Sequence, residues 1–364
     1  MFSWKDTKNP AAGGAEVMTW EILKHLSRID HAVTIFTSRY NLSTPSHETI
    51  DGVEVYRAGG RYGVYLWAIY YYFRSFKGRF DLVIDQVNTV PFFTPLFVKE
   101  RRIAFFPQLA RQLWFYETRF PINFLGFLAE PFFLLFYRNE KILTISPSSK
   151  KDLARFGLKN TRLVSVVSYI KSLEDPGEKE KGLNLAFVGR LVPGKRPLDV
   201  VRAFAQVKKL IPESRLFMVG RGTLDYQKRV RDLVSALGIG ESVEFYLEAS
   251  EEKKLEILRR AHLLLVTSVK EGWGLVVTEA NSQGTPAVVY DVDGLRDSVR
   301  DKITGLVCIK NTPQDLARLV LDLYHHPDVY ERLCRAACQD SRKYNIQTTL
   351  ETFDKVLNEV LIEP

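Results

Sequence analysis

The sequence predicts an α/β protein made of two doubly wound parallel-sheet domains in series. Three observations carry this reading. Short β-branched runs recur along the whole 364-residue chain, segments of helical length and period separate them, and a polar, charged stretch near the middle divides them into two sets. Such alternation predicts parallel strands joined by helical crossovers. A chain of this length also suits two cores of ordinary size better than one.

The first set of strands is read at Ala32–Thr37, Val53–Arg57, Asp81–Asp85, Arg102–Phe106 and Lys141–Ile145. A doubly wound domain normally opens on a buried strand, yet only Met1–Trp4 precede the polar segment Lys5–Pro10. The first strand is therefore read as very short or truncated. Residues Tyr169–Gly182 form the linker, rich in charge and closed by glycine. The second set follows at Leu183–Val188, Arg215–Val219, Ser242–Tyr246, Leu263–Thr267 and Ala287–Tyr290, with helical patterns at Leu198–Leu210, Leu224–Leu237 and Glu251–Arg260 between them. The N-terminal domain is thus read as residues 1–170 and the C-terminal domain as 171–344, and the last helix, about Ile346–Leu361 within residues 345–364, is expected to cross back onto the first. Ligands of doubly wound sheets bind outside the carboxyl ends of the strands, so two such sheets facing each other predict a substrate cleft between the domains.

Composition is globular, with 46% hydrophobic and 26% charged residues, which excludes disordered and fibrous classes. The net charge of +8 is uneven: residues 1–170 hold 22 basic against 14 acidic side chains, and the remainder balances. A basic first half suits an anionic partner, whether phospholipid, nucleic acid or a phosphorylated acceptor. Neither a zinc-ligand spacing nor an aromatic RNA-binding pattern is present, so nucleic acid is not expected. Three cysteines, Cys308, Cys334 and Cys338, make no disulfide framework and are read as reduced thiols of a cytoplasmic protein. No basic-then-apolar leader opens the sequence, and no apolar run reaches the roughly 18 residues a spanning helix needs.

Three motifs carry chemistry. Asn9-Pro10-Ala11-Ala12-Gly13-Gly14-Ala15-Glu16 opens a helix running to about Leu26. Gly13 and Gly14 let backbone approach a ligand, and a helix N-terminus favours phosphate, although a plain turn and helix start more often explain a lone Gly-Gly. Gly189-Arg190-Leu191-Val192-Pro193-Gly194-Lys195-Arg196 follows the first strand of the second domain. It brings Arg190 and Lys195 to the strand's carboxyl end, either to grip a diphosphate or as a solvated basic loop. Its spacing imitates a P-loop, but Arg196 stands where a hydroxyl should hold magnesium, which argues against an ATPase. Third, in Glu271-Gly272-Trp273-Gly274-Leu275-Val276-Val277-Thr278-Glu279 the glycines make a loop, leaving Glu271 at a strand end and Glu279 in the first turns of a helix. Carboxylates suit hydroxyl-rich ligands because they accept several hydrogen bonds.

Gly13-Gly14, Gly189-Arg190 with Lys195, and the Glu271…Glu279 pair with Gly272 and Gly274, in this order along nearly the whole chain, resemble the retaining glycosyltransferases of the GT-B fold, family 4. The resemblance implies two Rossmann-like domains and a nucleotide-sugar donor. It implies that Gly13 and Gly14 approach the donor phosphate, that Arg190 and Lys195 neutralise the diphosphate beside Gly189, and that Glu271 holds donor-sugar hydroxyls. Glu279 would take the ribose hydroxyls, with the phosphate cradle completed by backbone at Gly272, Trp273, Gly274 and Leu275. It further implies transfer with retention and no metal or other cofactor, the nucleotide-sugar being a substrate, to a glycan or lipid-linked acceptor. Asp291-Val292-Asp293 is read as a turn and helix cap, not as a metal site.

The chain departs from this pattern after Arg102–Phe106, where many relatives carry a histidine near the transferred sugar and this sequence has Pro107-Gln108. Gln108 is a substitute for the imidazole or a packing residue. A rival reading follows, in which a catalytically weakened homologue binds nucleotide-sugar, or a partner glycosyltransferase, as a subunit. Phe245-Tyr246-Leu247-Glu248 likewise replaces a glycine expected near the base. Finally, Arg61–Phe80 holds many aromatics, four basic residues and no acid, and Trp114–Arg138 is similarly apolar. These segments fit peripheral attachment to an anionic membrane at the inner face of the cell membrane. The alternative is that Tyr65, Ile69, Tyr72 and Phe73, at helical spacing, are ordinary core.

Overall fold

In the computed structural model, all residues are described except Ala11, Ser165, Val167, Ser168, Tyr169, Glu178, Glu363 and Pro364. Ala11 of the first glycine motif and Tyr169 and Glu178 of the linker therefore lie outside the described residues. The chain divides into two compact units, Met1–Trp114 with Phe120–Val167 and Ile346–Pro364, and Phe115–Arg119 with Ser168–Asn345.

The strands of the first unit are β1 (Thr34–Ser38), β2 (His47–Ile50), β3 (Val53–Ala58), β4 (Leu82–Gln86), β5 (Arg101–Phe105), β6 (Lys141–Thr144) and β7 (Thr161–Leu163). They form two runs, β2-β3-β1 and β4-β5-β6-β7, parallel throughout except for the β2 hairpin arm. Met1–Trp4 lies between the runs. Phe2 bridges in parallel to Phe36 of β1 and Asp85 of β4, with Phe2 N–H donating to Ile84 O at 2.8 Å and Gln86 N–H to Phe2 O at 2.9 Å. Four residues thus supply the central strand, and apolar Phe2, buried among Phe36, Phe76 and Phe92, anchors it.

Helix Gly14–Arg28 covers one face of this sheet. Its buried Met18, Ile22 and Leu26, at the spacing of one helical stripe, meet Leu350, Phe353, Val356 and Leu357 of helix Ile346–Ile362. The terminal helix is therefore part of the first unit's core.

The second unit holds β8 (Asn184–Val188), β9 (Arg215–Val219), β10 (Val243–Tyr246), β11 (Leu263–Val266), β12 (Ala287–Val289) and β13 (Gly305–Val307). All are parallel, in the order β10-β9-β8-β11-β12-β13. From β8 the chain winds outward one way and from β11 the other, so strand order reverses between them. Both sheet faces are covered, which accounts for runs such as Leu263–Val266 being buried without alternation.

One buried charge cluster shapes the first unit. Arg57, on β3 and 1% exposed, donates through Nε to Asp6 Oδ2 at 2.5 Å and through Nη1 to Glu48 Oε1 at 2.5 Å. Asp6 Oδ1 in turn accepts the N–H groups of Lys8 and Asn9, both at 3.1 Å. The turn after the central strand is thereby clamped to β3. Removing one partner of a buried pair leaves the other charge uncompensated, so Asp6→Ala is expected to cost about 3 kcal/mol in chemical denaturation. Asp232→Ala, which breaks an exposed helical pair with Lys228, should cost less than about 0.5 kcal/mol. Equal midpoints for the two variants would show that Glu48 alone holds Arg57.

Candidate functional site

The reversal of strand order in the second unit sends the loops after β8 and β11 apart and leaves their backbones free at one sheet edge. The sequence then ties these loops together. Thr267 Oγ1 donates to the carbonyls of Lys195 and Arg196, both at 2.9 Å, and Val269 N–H donates to Gly194 O at 2.9 Å. These bonds bring Lys195, in the short turn Pro193–Lys195, against the loop that carries Glu271. Lys195 Nζ donates to Glu271 Oε1, and Ser268 Oγ donates to the same oxygen at 2.6 Å. The Glu271 backbone N–H is held by Asp293 O at 3.1 Å. The two partners of this pair are half-shielded, with side chains 27% and 13% exposed.

Gly274 sits at φ +95° and caps helix Leu275–Ser282. A Cβ there would lie 2.8 Å from Leu295 Cδ2 and 3.2 Å from Ser298 Oγ, so glycine is required by conformation and by space. Its N-cap position leaves the first N–H groups of that helix without intrahelical acceptors, an arrangement that favours anions. Gly294, at φ +80°, has the same logic: a Cβ would lie 2.3 Å from Glu271 O. The Asp291–Asp293 turn before it is tied up in ion pairs, Asp291 with Arg296 at 2.5 Å and Asp293 with Lys270 at 3.3 Å. No group of three or more His, Cys, Asp or Glu side chains able to hold a metal occurs among the described residues.

Not every residue singled out from the sequence faces this junction. Trp273 turns inward, 7% exposed, with Nε1 donating to Thr278 Oγ1 at 2.9 Å and its ring 5.1 Å from that of Tyr344. Its neighbours Gly272 and Leu275 frame the loop on either side. Arg190, just past Gly189 at the end of β8, is paired at 3.7 Å with Glu117, and both are well exposed. Glu279 stands in the second turn of helix Leu275–Ser282 and is bound by Lys254 at 2.9 Å. Burial pushes its carboxyl up from the usual range, and the Lys254 ammonium opposes that shift.

Gly13, Gly14 and Gln108 belong to the first unit. Gly13 caps helix Gly14–Arg28, its N–H donating to Glu16 Oε2 at 2.7 Å. Glu16, 5% exposed, also accepts from Asn88 Nδ2 at 3.1 Å and pairs with Lys5 at 3.4 Å. This carboxylate organises the carboxyl ends of the central strand and β4, a role that sequence spacing did not signal. Gln108, in the loop after β5, lines a small cavity with Asn88, Phe106 and Glu130, and its buried Oε1 has no partner in the structure. Glu130 fixes that loop by accepting the N–H groups of Ala110 and Arg111, each at 2.7 Å. Its conspicuous signal was the one acid in an otherwise apolar helix, Ile122–Leu135.

The aromatic segments of the first unit divide between core and surface. Tyr72 is buried and donates to Glu100 at 2.7 Å, and Tyr65 packs on Phe92. Leu66, Tyr70 and Phe73 point outward, Leu66 at 74% exposure. Helix Ile122–Leu135 exposes Phe124, Leu125 and Phe132, the last at 64%. Phe93 packs on Phe133 and Phe136, and Phe97 on Tyr72 and Phe73, so the segment Phe93–Phe97 joins the two apolar surfaces. Among the described residues no helix is long and apolar enough to cross a membrane.

Comparison with known proteins places this geometry. Residues 12–167 match the model of Glycosyltransferase Family 4, and residues 170–340 match that of Glycosyl transferases group 1. The D-inositol 3-phosphate glycosyltransferase of Salinispora tropica is 32% identical over 222 residues, 58% of this chain and 45% of that protein. Its counterpart from Nocardia farcinica is 38% identical over 128 residues, 34% of this chain and 28% of that protein. The chain thus matches less than half the length of these curated relatives. Among solved structures, sucrose-phosphate synthase from Thermosynechococcus elongatus superposes with a TM-score of 0.81 at 18% identity, covering 99% of this chain and 98% of that one. HepE from Anabaena, solved with UDP and glucose, gives 0.74 at 16% identity over 98% and 99%. These likenesses show the fold, a GT-B arrangement of two Rossmann-like units. Two family models that follow one another along the chain, joined to this fold, lead to one conclusion: the chain belongs to the family 4, group 1 glycosyltransferases.

Proposed function

We propose that the chain is a retaining, metal-independent hexosyltransferase that moves a hexose-type sugar from a nucleotide-sugar donor to a glycan or lipid-linked acceptor at the cytoplasmic face of the membrane. The observation that carries this reading is the Lys195–Glu271 junction at the point of strand reversal. A cation for a diphosphate and a carboxylate for sugar hydroxyls meet there beside the free N-terminus of helix Leu275–Ser282. The UDP and glucose in HepE support a nucleotide-sugar donor, and the names of the curated relatives support glycosyl transfer.

In the proposed reaction the bond between the sugar C1 and the diphosphate oxygen breaks while the acceptor oxygen bonds C1 from the same face. The acceptor's proton passes to the departing phosphate oxygen. Lys195 and Arg190 offset the charge that grows on that oxygen, and Glu271 fixes the sugar by accepting its hydroxyls. The protein's work is then positioning and charge stabilisation, which needs no metal. Glu279 accepts the ribose hydroxyls, the Gly13-Gly14 turn approaches the donor phosphate, and Gln108 substitutes for the imidazole near the transferred sugar.

Release of free nucleoside diphosphate from GDP-, UDP-, ADP- and dTDP-sugars, with and without membrane extract, tests this. Acceptor-stimulated release from one donor is expected, unchanged by EDTA and reduced about 100-fold or more in Lys195→Ala and Glu271→Ala, the scale for loss of one preorganised charge-stabilising group. Tight nucleotide binding without release from any donor would favour the weakened-homologue reading and direct attention to Pro107.

The exposed aromatic surface supports peripheral attachment through the first unit, with Arg61, Arg74 and Lys77 meeting lipid phosphates. Flotation with phosphatidylglycerol-containing vesicles at low salt should carry the protein upward. Leu66→Ser combined with Phe132→Ser should leave at least about half of it unbound, because each change removes roughly 2 kcal/mol of apolar burial. Wild-type protein that stays with the soluble fraction would rule out this attachment.

A further inference from the structure

Lys254 stands out among the second unit's cations. It lies in the first turn of helix Glu251–Arg260, capped by Ser250. Cations are disfavoured there because the helix dipole is positive at that end, and Glu251 and Glu252 already supply the charge the dipole prefers. Its side chain is only 14% exposed, although lysine ammonium groups normally reach water. It forms ion pairs with Glu251 at 2.7 Å and Glu279 at 2.9 Å. Glu251 is 76% exposed and cannot account for drawing the ammonium inward, whereas Glu279 is 22% exposed and sits on the neighbouring helix.

We propose that Lys254 is a positioning residue of the nucleotide site, holding the Glu279 carboxylate charged and oriented to accept the ribose hydroxyls. The proposal rests on the nucleotide-sugar reading above. Three features combine in it. The cation and carboxylate belong to different helices, so their contact fixes where Glu279 points as well as its charge. Burial alone would favour a neutral carboxyl there, and the ammonium opposes this. An ionised carboxylate can accept from both ribose hydroxyls at once, whereas a protonated one offers fewer acceptor sites.

The test compares binding of UDP, GDP and ADP with their 2′-deoxy and 3′-deoxy forms by calorimetry on the full chain. Wild type is expected to prefer the ribonucleotide of its tightest series by about 10-fold, the scale of one charge-assisted hydrogen bond. Lys254→Met should weaken the ribonucleotide about 10-fold and leave the deoxy forms within about 2-fold, so that the preference disappears; Lys254→Arg should restore it. Glu251→Gln should leave it unchanged. Equal weakening of ribo and deoxy forms, or an unaltered preference in Lys254→Met, overturns the proposal. If Lys254→Met does not fold, Glu279→Gln serves in its place, and a ribose preference that survives there overturns the proposal equally. Wild type that binds neither these three diphosphates nor dTDP overturns the nucleotide-sugar reading itself, a result distinct from binding with unchanged selectivity.

Discussion

The reversal of strand order between β8 and β11 is the constraint on which the second unit's site depends. Two adjacent parallel strands whose successors lie on opposite sides must send their loops apart, and backbone groups at that edge lose their sheet partners. The chain meets this with short-range ties of Thr267 and Val269 to the Gly194–Arg196 turn. The Lys195–Glu271 pair is a consequence of those ties. Taken alone, an ion pair that solvent still reaches contributes little. Its value here lies in geometry: Ser268 and the Asp293 carbonyl fix Glu271 independently of Lys195.

The first unit solves the same topological problem with less chain. Met1–Trp4 separates β1 from β4, and one residue beyond the Phe2 bridges the register sets Thr37, Ser3 and Gln86 side by side. All three are fully buried on the face covered by helix Gly14–Arg28, given that Ile35 and Ile84 of the same strand faces pack against it. Thr37 Oγ1 and both polar atoms of the Gln86 side chain have no partner in the structure. Unpaired buried groups cost about 1–3 kcal/mol each, so the Thr37 hydroxyl and the Gln86 amide add no stability through hydrogen bonds. This layer lies under the turn that Asp6, Arg57 and Glu16 hold in place, at the one edge of the sheet where a doubly wound fold binds its ligand.

What the sequence revealed and what it concealed follow from the range of the interactions. Gly274 and the strand-to-helix loop were legible because a left-handed residue and a helix start leave a local mark, and the long strands because five apolar residues suffice to set a pattern. Strands β7 (Thr161-Arg162-Leu163) and β13 (Gly305-Leu306-Val307) and the hairpin arm β2 (His47-Glu48-Thr49-Ile50) mix polar residues or glycine into short segments and show none, whereas the equally short β12 is wholly apolar, Ala287-Val288-Val289. The resemblance places Trp273 in the backbone of the phosphate cradle and says nothing of its ring; only the Thr278 hydroxyl and the Tyr344 ring, five and seventy-one positions away, show why the side chain turns inward. Lys254 and Glu279, Arg57 and Asp6, and Glu16 and Asn88 are each joined across different elements. No local periodicity encodes such pairs.

The aromatic segments show a different limit. Helical spacing identified Tyr65, Ile69, Tyr72 and Phe73 as a set, yet the helix turns Tyr72 into the core and Phe73 outward. The cause is the helix's own rotation: the buried stripe runs through Val64, Ala68, Tyr72 and Phe76, and Ile69 and Phe73, each one position on and so turned by about 100°, face outward. In Ile122–Leu135 the pattern is apolar on nearly every side, so periodicity could not say which face is covered. The one buried acid decides it. Glu130 must accept the Ala110 and Arg111 N–H groups, and that obligation fixes the helix's rotation, presents Phe124, Leu125 and Phe132 outward and holds the loop of Gln108. The exposure of these apolar side chains and the placement of the Gln108 loop are therefore set by the same carboxylate.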